Sequence, residues 1–467
     1  MTAPRAIGSP DRVLRGRFER EHERQYTHIP FEVPRGVRQL HLRYAYSDAI
    51  GHDPSLVGGN TVDIGLFDER GTAPGGTGFR GWSGSDKAEI TIDEAWATPP
   101  YRSGRPGAGI WHVLLGPYKI GPRGCDWTVE LWFDAGVARG WERSGGLARR
   151  LDPDPLPAAR DGWLRGDLHC HTVYSDGDSE PSAMLDAAAA AGLEFLGVTD
   201  HNNVAHHPAY GAGGDGLPLV VPGVEITTYG GHWNAHGTSR WHEFRETEPA
   251  AVARAMRAAM DEGAFVTVNH PKPLGPEWRY GDLPADAIEV WNGSWLRFNA
   301  VSLAWWDERL RRGERLVAVG GSDTHSLRRA DPDPRHAYAL GRPTTWVRTT
   351  GDADRSRPMR SESAAGFILG ALRAGHAFVS ASPRGPQLYL EPDRARLGRV
   401  SVEVRGASGA AVLVFTEAGC VVAAPVAADA WDTSFEAPAG ARYVRAEVVG
   451  TTGLMLALSN PIWAEAL

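Results

Sequence analysis

Three short segments of this chain place histidine and carboxylate side chains at the spacing that metal ligands need: residues 166–177, 198–201 and 321–325. In each, the residues before the imidazole or the acid are apolar or small and indicate a buried strand. In an extended chain, residues i and i+2 point to the same side, so His169 and His171 face one way together. Imidazole and carboxylate ligands together suit zinc, manganese or iron, whereas thiolate-only sites form a different class. The segments therefore predict a transition-metal site.

The elements that must position these residues alternate between strand and helix from about residue 158 to 384. Predicted strands at 195–198, 265–268 and 287–291 are accompanied by helices such as 249–262. Each candidate ligand then lies at or near a strand end, and parallel α/β barrels assemble their active sites at the carboxyl ends of strands. About seven strand–helix units predict a distorted (βα)7 barrel.

The two flanking segments are predicted to be β-rich. Residues 1–157 alternate apolar and polar side chains, as in 40–46, and end in the proline-rich run 151–157, which is typical of a stiff linker. Alternation returns in 385–467, for example at 400–405. We predict β-sandwich-like domains on both sides of the barrel. Because no residue outside the barrel has ligand spacing, we expect both domains to be dispensable for the chemistry.

Composition limits the classes of protein to which this chain can belong. Its 467 residues favour two or three domains, and its net charge of −8 argues against a nucleic-acid-binding surface. Three scattered cysteines, Cys125, Cys170 and Cys420, form no disulfide framework and indicate a reducing compartment. The sequence shows neither a signal peptide nor a membrane-spanning run. We expect a soluble cytoplasmic protein without a nucleic-acid or membrane partner.

Six motifs follow one another between residues 166 and 326: His-x-His with Ser-Asp-Gly, Thr-Asp-His, Gly-Val-Glu, Gly-His-Trp-Asn, Asn-His-Pro and Ser-Asp-x-His. In this order they resemble the PHP (polymerase and histidinol phosphatase) superfamily of metal-dependent phosphoesterases. Within it, the sequences at 199–203 and 231–234, together with Ser-Asn-Pro-Ile at 459–462, are most similar to the CehA/McbA group of metallohydrolases.

The resemblance implies three neighbouring metal positions that hold two or three divalent ions of zinc, manganese or iron. Glu225 suits the bridging place, because a carboxylate can bind two cations and a single imidazole nitrogen cannot. Asp176 stands in place of a histidine, so the occupancy of the third position stays open. Carried over by position, the ligands are His169, His171, Glu225 and Asp323 for the first metal; Glu225, His232 and His270 for the second; and Asp176, His201 and His325 for the third.

Either His232 or His236 could be the ligand that joins Glu225 and His270 in the second metal position. The sequence around His232 matches the family better than that around His236, which leaves His236 as a substrate-binding or positioning group. Lys272 follows His270 by two residues and is a candidate for holding an anionic substrate. We predict Glu225, Asp323 and His232 as catalytic residues, and Lys272, Arg240 and His236 as substrate-binding residues.

Three functions are compatible with this set of residues. The first is a hydrolase in which a metal-bridging hydroxide attacks a small phosphate mono- or diester. The second is a carbamate, carboxyl-ester or amide hydrolase, which the CehA/McbA resemblance brings in. The third, from another class, is a non-catalytic metal-dependent binding module, and the complete ligand set weakens it. The sequence does not decide the natural substrate or the oligomeric state.

Overall fold

The computed structural model describes residues 8–53, 55–137, 156–210, 216–273, 275–328, 338–349, 361–393, 396 and 398–467. These residues form a mixed α/β protein with 25 strands and four α-helices. Within the same ranges, none of the helices is long and apolar enough to cross a membrane. The predicted linker at 151–157 lies mostly outside the described residues, and so do the exact limits of the first predicted domain.

The N-terminal strands form two antiparallel sheets of four strands, in the orders β1-β8-β3-β6 and β2-β7-β4-β5. Their buried side chains, such as Leu42, Ile64 and Val129, belong to one hydrophobic cluster between the sheets. The alternation of apolar and polar residues in the sequence is therefore the alternation of inner and outer faces. The strands are β1 (Arg12–Phe18), β2 (Thr27–Val33), β3 (Gln39–Tyr46), β4 (Thr61–Phe67), β5 (Phe79–Gly84), β6 (Glu89–Asp93), β7 (Gly109–Lys119) and β8 (Cys125–Phe133).

The central segment carries all four α-helices of the described residues. Its elements are β9 (Trp163–Asp167), α1 (Pro181–Ala191), β10 (Phe195–Val198), β11 (Leu219–Thr228), β12 (Gly231–His236), α2 (Pro249–Asp261), β13 (Phe265–Val268), β14 (Ala287–Asn292), α3 (Asn299–Arg311), β15 (Val317–Gly321), β16 (Thr344–Arg348), α4 (Ser361–Arg373) and β17 (Ala377–Ser380). The sheet path runs β15-β14-β13-β12-β11-β10-β9-β16-β17.

The central sheet departs from a regular repeat of strand and helix. Strands β11 and β12 form an antiparallel hairpin, and β16 pairs antiparallel with β9. The hairpin turns at Gly231, where φ is 138° and a Cβ atom would lie 2.7 Å from the ring of Trp278. A hairpin needs no helical crossover, so the described residues contain fewer helices than seven strand–helix units would require. The complete (βα)7 barrel stays a prediction.

The C-terminal strands continue the central sheet. Strand β24 pairs antiparallel with β17, and the path goes on through β23, β20 and β21. One sheet therefore includes strands from both sides of the predicted boundary at 384/385, whereas the strands at 387–392, 399–405 and 430–436 form a separate sheet of three. The strands are β18 (Gln387–Pro392), β19 (Arg399–Arg405), β20 (Ala411–Thr416), β21 (Gly419–Pro425), β22 (Ala430–Glu436), β23 (Tyr443–Val449), β24 (Met455–Ser459) and β25 (Ile462–Trp463).

The Asn460 carboxamide links two strands of the central sheet that are not paired along its path. Its Oδ1 accepts from the Ala318 backbone nitrogen of β15 at 2.6 Å, and its Nδ2 donates to the Ala318 oxygen at 3.0 Å. The same Nδ2 also lies 3.0 Å from the Ala377 oxygen of β17. This side chain thus joins β15 and β17 by hydrogen bonds, although the two strands do not pair with each other.

We expect Asn460→Ala to destabilise the protein by about 2 kcal/mol or more, because the two buried backbone groups of Ala318 lose their partner and each costs roughly 1–3 kcal/mol. The Ala377 oxygen still accepts from the Asn460 backbone nitrogen at 3.3 Å. Chemical denaturation of the metal-loaded protein measures this change. Thr451→Ala, at an exposed turn of the same segment, is the control and should be neutral. A loss below about 1 kcal/mol in Asn460→Ala would show that the link is dispensable.

The N-terminal sheets share a core with the central segment. Phe67 and Phe79, from β4 and β5, pack in one hydrophobic cluster with Trp241 and Phe244. The ring centroids of Phe79 and Trp241 are 4.7 Å apart. A fragment limited to residues 158–384 would expose this surface and cut the sheet at β17. The flanking segments therefore contribute to the folded core, and their dispensability for the chemistry stays a prediction.

Candidate metal centre

The ends of β9 and β15 lie side by side and bring two predicted ligand pairs together. The backbone nitrogen of Asp323 donates to the His169 oxygen at 2.8 Å, and that of His171 donates to the Thr324 oxygen at 2.9 Å. The buried Asp167 carboxylate accepts from the backbone nitrogens of His169 and Ser322, at 3.1 and 2.9 Å. These bonds fix both strand ends in register, and their ligand side chains converge.

The first predicted metal position is assembled as one cluster of His169, His171, Glu225 and Asp323. His169 Nε2 lies 3.3 Å from Glu225 Oε2 and 3.4 Å from Asp323 Oδ1. His171 Nε2 lies 3.4 and 3.1 Å from the same two oxygens. Two ligands held at about 2.1 Å by a tetrahedral cation lie roughly 3.4 Å apart. The spacing of the donor atoms therefore suits a metal ion at their centre.

Glu225 lies between three groups of imidazoles and faces them with both carboxylate oxygens. Its Oε2 faces the first cluster and is also 2.9 Å from His201 Nδ1. Its Oε1 is 3.1 Å from His232 Nδ1 and 3.2 Å from His270 Nε2. One carboxylate thus contacts candidate ligands of all three predicted positions, which is the arrangement that a bridging ligand requires.

The third predicted position brings together Asp176, His201 and His325, with His171 beside them. Asp176 Oδ1 lies 3.2 Å from His325 Nε2 and 3.5 Å from His201 Nε2. This cluster is the most open of the three, since the His325 side chain is 35% exposed, whereas Asp323 of the first cluster is 16% and His232 of the second is 10% exposed. The aspartate fits here as a carboxylate ligand.

Two properties of these side chains fit a bound cation. The buried atoms His169 Nε2 and Asp176 Oδ1 have no hydrogen-bond partner among the described residues, although burial of an unpaired polar atom is costly. Burial alone would raise the pKa of Glu225, but the imidazoles of His169, His232 and His201 outweigh it and hold that pKa well below its usual range. The centre therefore presents an ionised bridging carboxylate and unpaired donor atoms, as divalent cations require.

Backbone strain is concentrated at the same place. Asp323 and His270 have φ angles of 55° and 29°, in the left-handed region that side chains other than glycine rarely adopt. Such strain is retained where the surrounding structure over-determines it, and active sites are common examples. Here it turns two predicted ligand side chains towards Glu225.

The sequence reasoning did not identify Glu289, which orients two of the ligands. Its Oε1 is 2.9 Å from His169 Nδ1, and its Oε2 accepts from the His270 backbone nitrogen at 3.0 Å. A carboxylate on the second ring nitrogen fixes the histidine tautomer and raises its basicity as a ligand. The signal in the sequence was a charged residue in the otherwise apolar run Ala287-Ile288-Glu289-Val290-Trp291.

We expect Glu289→Gln to weaken metal affinity or activity by about 10–100-fold, because a neutral amide raises the basicity of the His169 imidazole less than a carboxylate does. Metal titration and turnover, measured side by side, check this. Glu308→Gln, an exposed change on α3, serves as the matched control. A Glu289→Gln variant that binds metal and turns over like the parent would show that Glu289 has no effect on the ligands.

Asp200 positions a candidate ligand indirectly and makes no hydrogen bond to its ring. Its Oδ1 accepts from the Thr172 nitrogen and from Ser175 Oγ, both at 2.7 Å. Ser175 Oγ lies 3.4 Å from His171 Nδ1. Asp200 thus holds the loop that follows β9, and it acts on His171 through a serine.

The three predicted substrate-binding residues have partners other than the candidate ligands. Lys272 Nζ is buried and donates to the Asn292 oxygen at 2.7 Å. His236 Nε2 contacts the Leu168 oxygen at 2.8 Å, while Arg240 forms an exposed ion pair with Glu262. His232 and not His236 faces Glu225, as the sequence context favoured. The roles of these three residues in substrate binding stay predictions.

A cavity of about 640 Å³ opens onto the metal centre, and the N-terminal sheets form its other wall. The central segment contributes candidate ligands, among them Glu225, Asp323 and His325. The N-terminal segment contributes polar and aromatic side chains, among them Asp63 and Tyr118. Substrate pockets commonly lie between such units.

Comparisons with known proteins agree with this centre. Residues 167–240 match the PHP domain. A 5'-3' exoribonuclease of Haemophilus influenzae is 36% identical over 73 residues, which are 15% of this chain and 25% of that relative. A Bifidobacterium adolescentis structure, provisionally assigned as a metal-dependent phosphoesterase, covers 38% of this chain and 90% of its own at 17% identity, and its TM-score of 0.25 is too low to show a common fold.

The matched segment ends well before some of the candidate ligands. It includes His169, His171 and Glu225 but neither Asp323 nor His325. The latter two join the cluster through the fold, at the end of β15. The 73 residues that are similar to the exoribonuclease span a quarter of that relative's length. Residues 167–240 are therefore similar to the PHP domain and carry candidate divalent-metal ligands, and similarity to the CehA/McbA group stays a prediction.

Proposed function

We propose that this protein is a metal-dependent hydrolase of small phosphate mono- or diesters. The observation that carries the proposal is the position of Glu225, whose two oxygens face imidazoles of all three clusters at 2.9–3.4 Å. The PHP-domain match over residues 167–240 supports it independently. Divalent cations held here would polarise a phosphoester, activate water and neutralise developing charge.

Different residues of the chain have different roles in the proposed reaction. Glu225 and Asp323 would supply negative charge to cations bound here, and Glu289 contacts His169 Nδ1 and so holds that ring in the orientation that a ligand needs. The open third cluster, with Asp176 and His325, faces the cavity through which a substrate enters. A substrate oxygen therefore approaches the centre from this side.

A second candidate is hydrolysis of a carbamate or carboxyl ester. The cavity wall contains Trp82, Tyr118 and Tyr229, and the exposed side chains of Leu56 and Val57 lie at its edge. Such surfaces favour an aryl or alkyl group next to the reacting ester. Either reaction would use the same metal centre.

Small esters are favoured over nucleic acids as substrates, although one relative is named an exoribonuclease. A net charge of −8 gives little electrostatic attraction for a phosphate backbone. A single ester group needs neither a basic groove nor a long binding surface.

The decisive experiment compares metal-loaded protein with the Glu225→Gln variant on four substrates. They are p-nitrophenyl phosphate, bis(p-nitrophenyl) phosphate, a naphthyl carbamate and a short oligoribonucleotide. We expect hydrolysis of one or both phosphate esters by the parent alone. Turnover of the carbamate only would support the second candidate. No turnover with metal fully bound would support a non-catalytic binding module.

A further inference from the structure

Arg24 lies in the wall of the cavity opposite the metal centre, on the loop that precedes β2. Its φ angle is 64°, in the left-handed region, and its backbone nitrogen donates to the Pro117 oxygen at 2.7 Å. This conformation is unfavourable for arginine, whereas asparagine and glycine adopt it at a lower free-energy cost. The fold therefore maintains strain at a residue that faces the cavity.

The guanidinium of Arg24 has no partner in the described part of the chain that would explain its position. Its Nε is buried and forms no hydrogen bond, and none of the described carboxylates pairs with the group. The guanidinium carbon lies 5.9 Å from the ring centroid of Tyr118, which supports it from one side. Tyr118 in turn stacks on Tyr229 at 5.6 Å, and Tyr229 stacks on Tyr26 at 4.9 Å.

The carboxylates on the same wall are each engaged elsewhere. Glu23 accepts from the Ile120 nitrogen at 3.1 Å, and Glu277 lies 3.5 Å from Arg279. Asp86 pairs with Lys87. Asp63 accepts from the Tyr229 hydroxyl at 2.8 Å, and burial raises the pKa of Asp63 to about 7, so its negative charge is reduced. None of these carboxylates is paired with Arg24 in the described part of the chain, so its guanidinium is available to a ligand.

We propose that Arg24 is a binding subsite for a second anionic group, a carboxylate or a phosphate, on the part of the substrate that does not react. This inference rests on the proposed function as an ester hydrolase, because the metal centre takes the reacting ester. The planar guanidinium, supported by an aromatic ring, presents paired donors to a carboxylate or phosphate. The substrate class is then a small ester with a negative charge at each end.

Binding of non-hydrolysable ligands to the metal-loaded protein tests the subsite. The ligands are phenylphosphonates with a 4-carboxyl, a 4-phosphonate or an uncharged 4-carboxamide group, each also in a form extended by two methylene groups. We expect at least one anionic ligand to bind about tenfold or more tightly than its carboxamide counterpart, as a charge-assisted hydrogen bond predicts. The carboxyl and phosphonate arms identify which anion is preferred.

Arg24→Gln and Arg24→Asn should both reduce this preference to about one. Arg279→Gln, which removes an arginine of the same cavity that already has an ion-pair partner, should retain it. Arg24→Asn should melt at or above the parental temperature, because asparagine tolerates the left-handed backbone. A strongly lowered melting temperature would indicate that Arg24 is structural and would overturn the proposal.

Two further results would also overturn it. One is a parent protein that shows no preference for either anion at either length. The other is a preference that survives in both Arg24 variants. Because binding is measured without turnover, a preference that depends on Arg24 in a protein that hydrolyses no ester would contradict the proposed function and leave the subsite standing.

Discussion

Glu225→Gln is expected to lower turnover by about 10³-fold or more while the fold stays intact. The substitution keeps the shape and removes the charge that two neighbouring cations share. Several kcal/mol of transition-state stabilisation depend on such metals, and each 1.4 kcal/mol is a factor of ten in rate. The glutamine can still accept from Asn269 Nδ2, which lies 2.8 Å from Glu225 Oε1.

Three measurements on this variant separate chemistry from folding. Turnover and metal content should both fall, and circular dichroism should match that of the parent. Glu246→Gln, an exposed change of the same type, should leave all three unchanged. Unchanged turnover in Glu225→Gln would remove Glu225 from the active site and, with it, the main support for the proposed function.

Purified protein is expected to hold at least two transition-metal ions per chain, and their removal should abolish activity. The three clusters offer nine candidate ligands, and no single ion can bind that many donors. Because metals bind the native state, removal should also lower the melting temperature by several degrees; ions at 1,000 times their dissociation constant stabilise by about 4 kcal/mol each.

Elemental analysis after metal supplementation and dialysis measures the metal content directly. Chelation followed by addition of Zn²⁺, Mn²⁺ or Fe²⁺ should restore both activity and melting temperature, and the most effective ion identifies the metal. Less than about one equivalent per chain would contradict the metal centre. Activity that is unaltered after chelation has removed the metal would show that the bound metal has no role in catalysis.

The parts of this centre that the sequence revealed are those carried by short local motifs. His169 and His171 share a face because they are two residues apart on an extended chain, and the structure places both against Asp323. The strand at Phe195–Val198 and the helix at Pro249–Asp261 lie close to the ranges that apolar patterning predicted. Local patterning suffices there, because it reports which face is buried.

Other features depend on contacts between distant segments, which no local pattern contains. Glu289 lies 120 residues after the histidine that it orients. Asp63 and Tyr229 are 166 residues apart, and they meet only because the N-terminal sheets pack on the central segment. Lys272 follows a ligand by two residues, yet its side chain turns to Asn292. Sequence proximity alone did not indicate this contact, because packing decides the direction of a side chain.

The bond between Asn460 and β15 has a consequence for the order in which the protein is made. Asn460 lies 142 residues after Ala318, its partner in the strand that leads to Asp323 and His325. At roughly 5–20 residues per second, a ribosome needs about 7–28 s to synthesise that interval. Throughout this time β15 lacks its hydrogen bonds to Asn460. The edge of the sheet at β15 is then open to a chaperone or to another nascent chain. Slowing translation after residue 321 would therefore prolong the interval in which this edge of the sheet can aggregate.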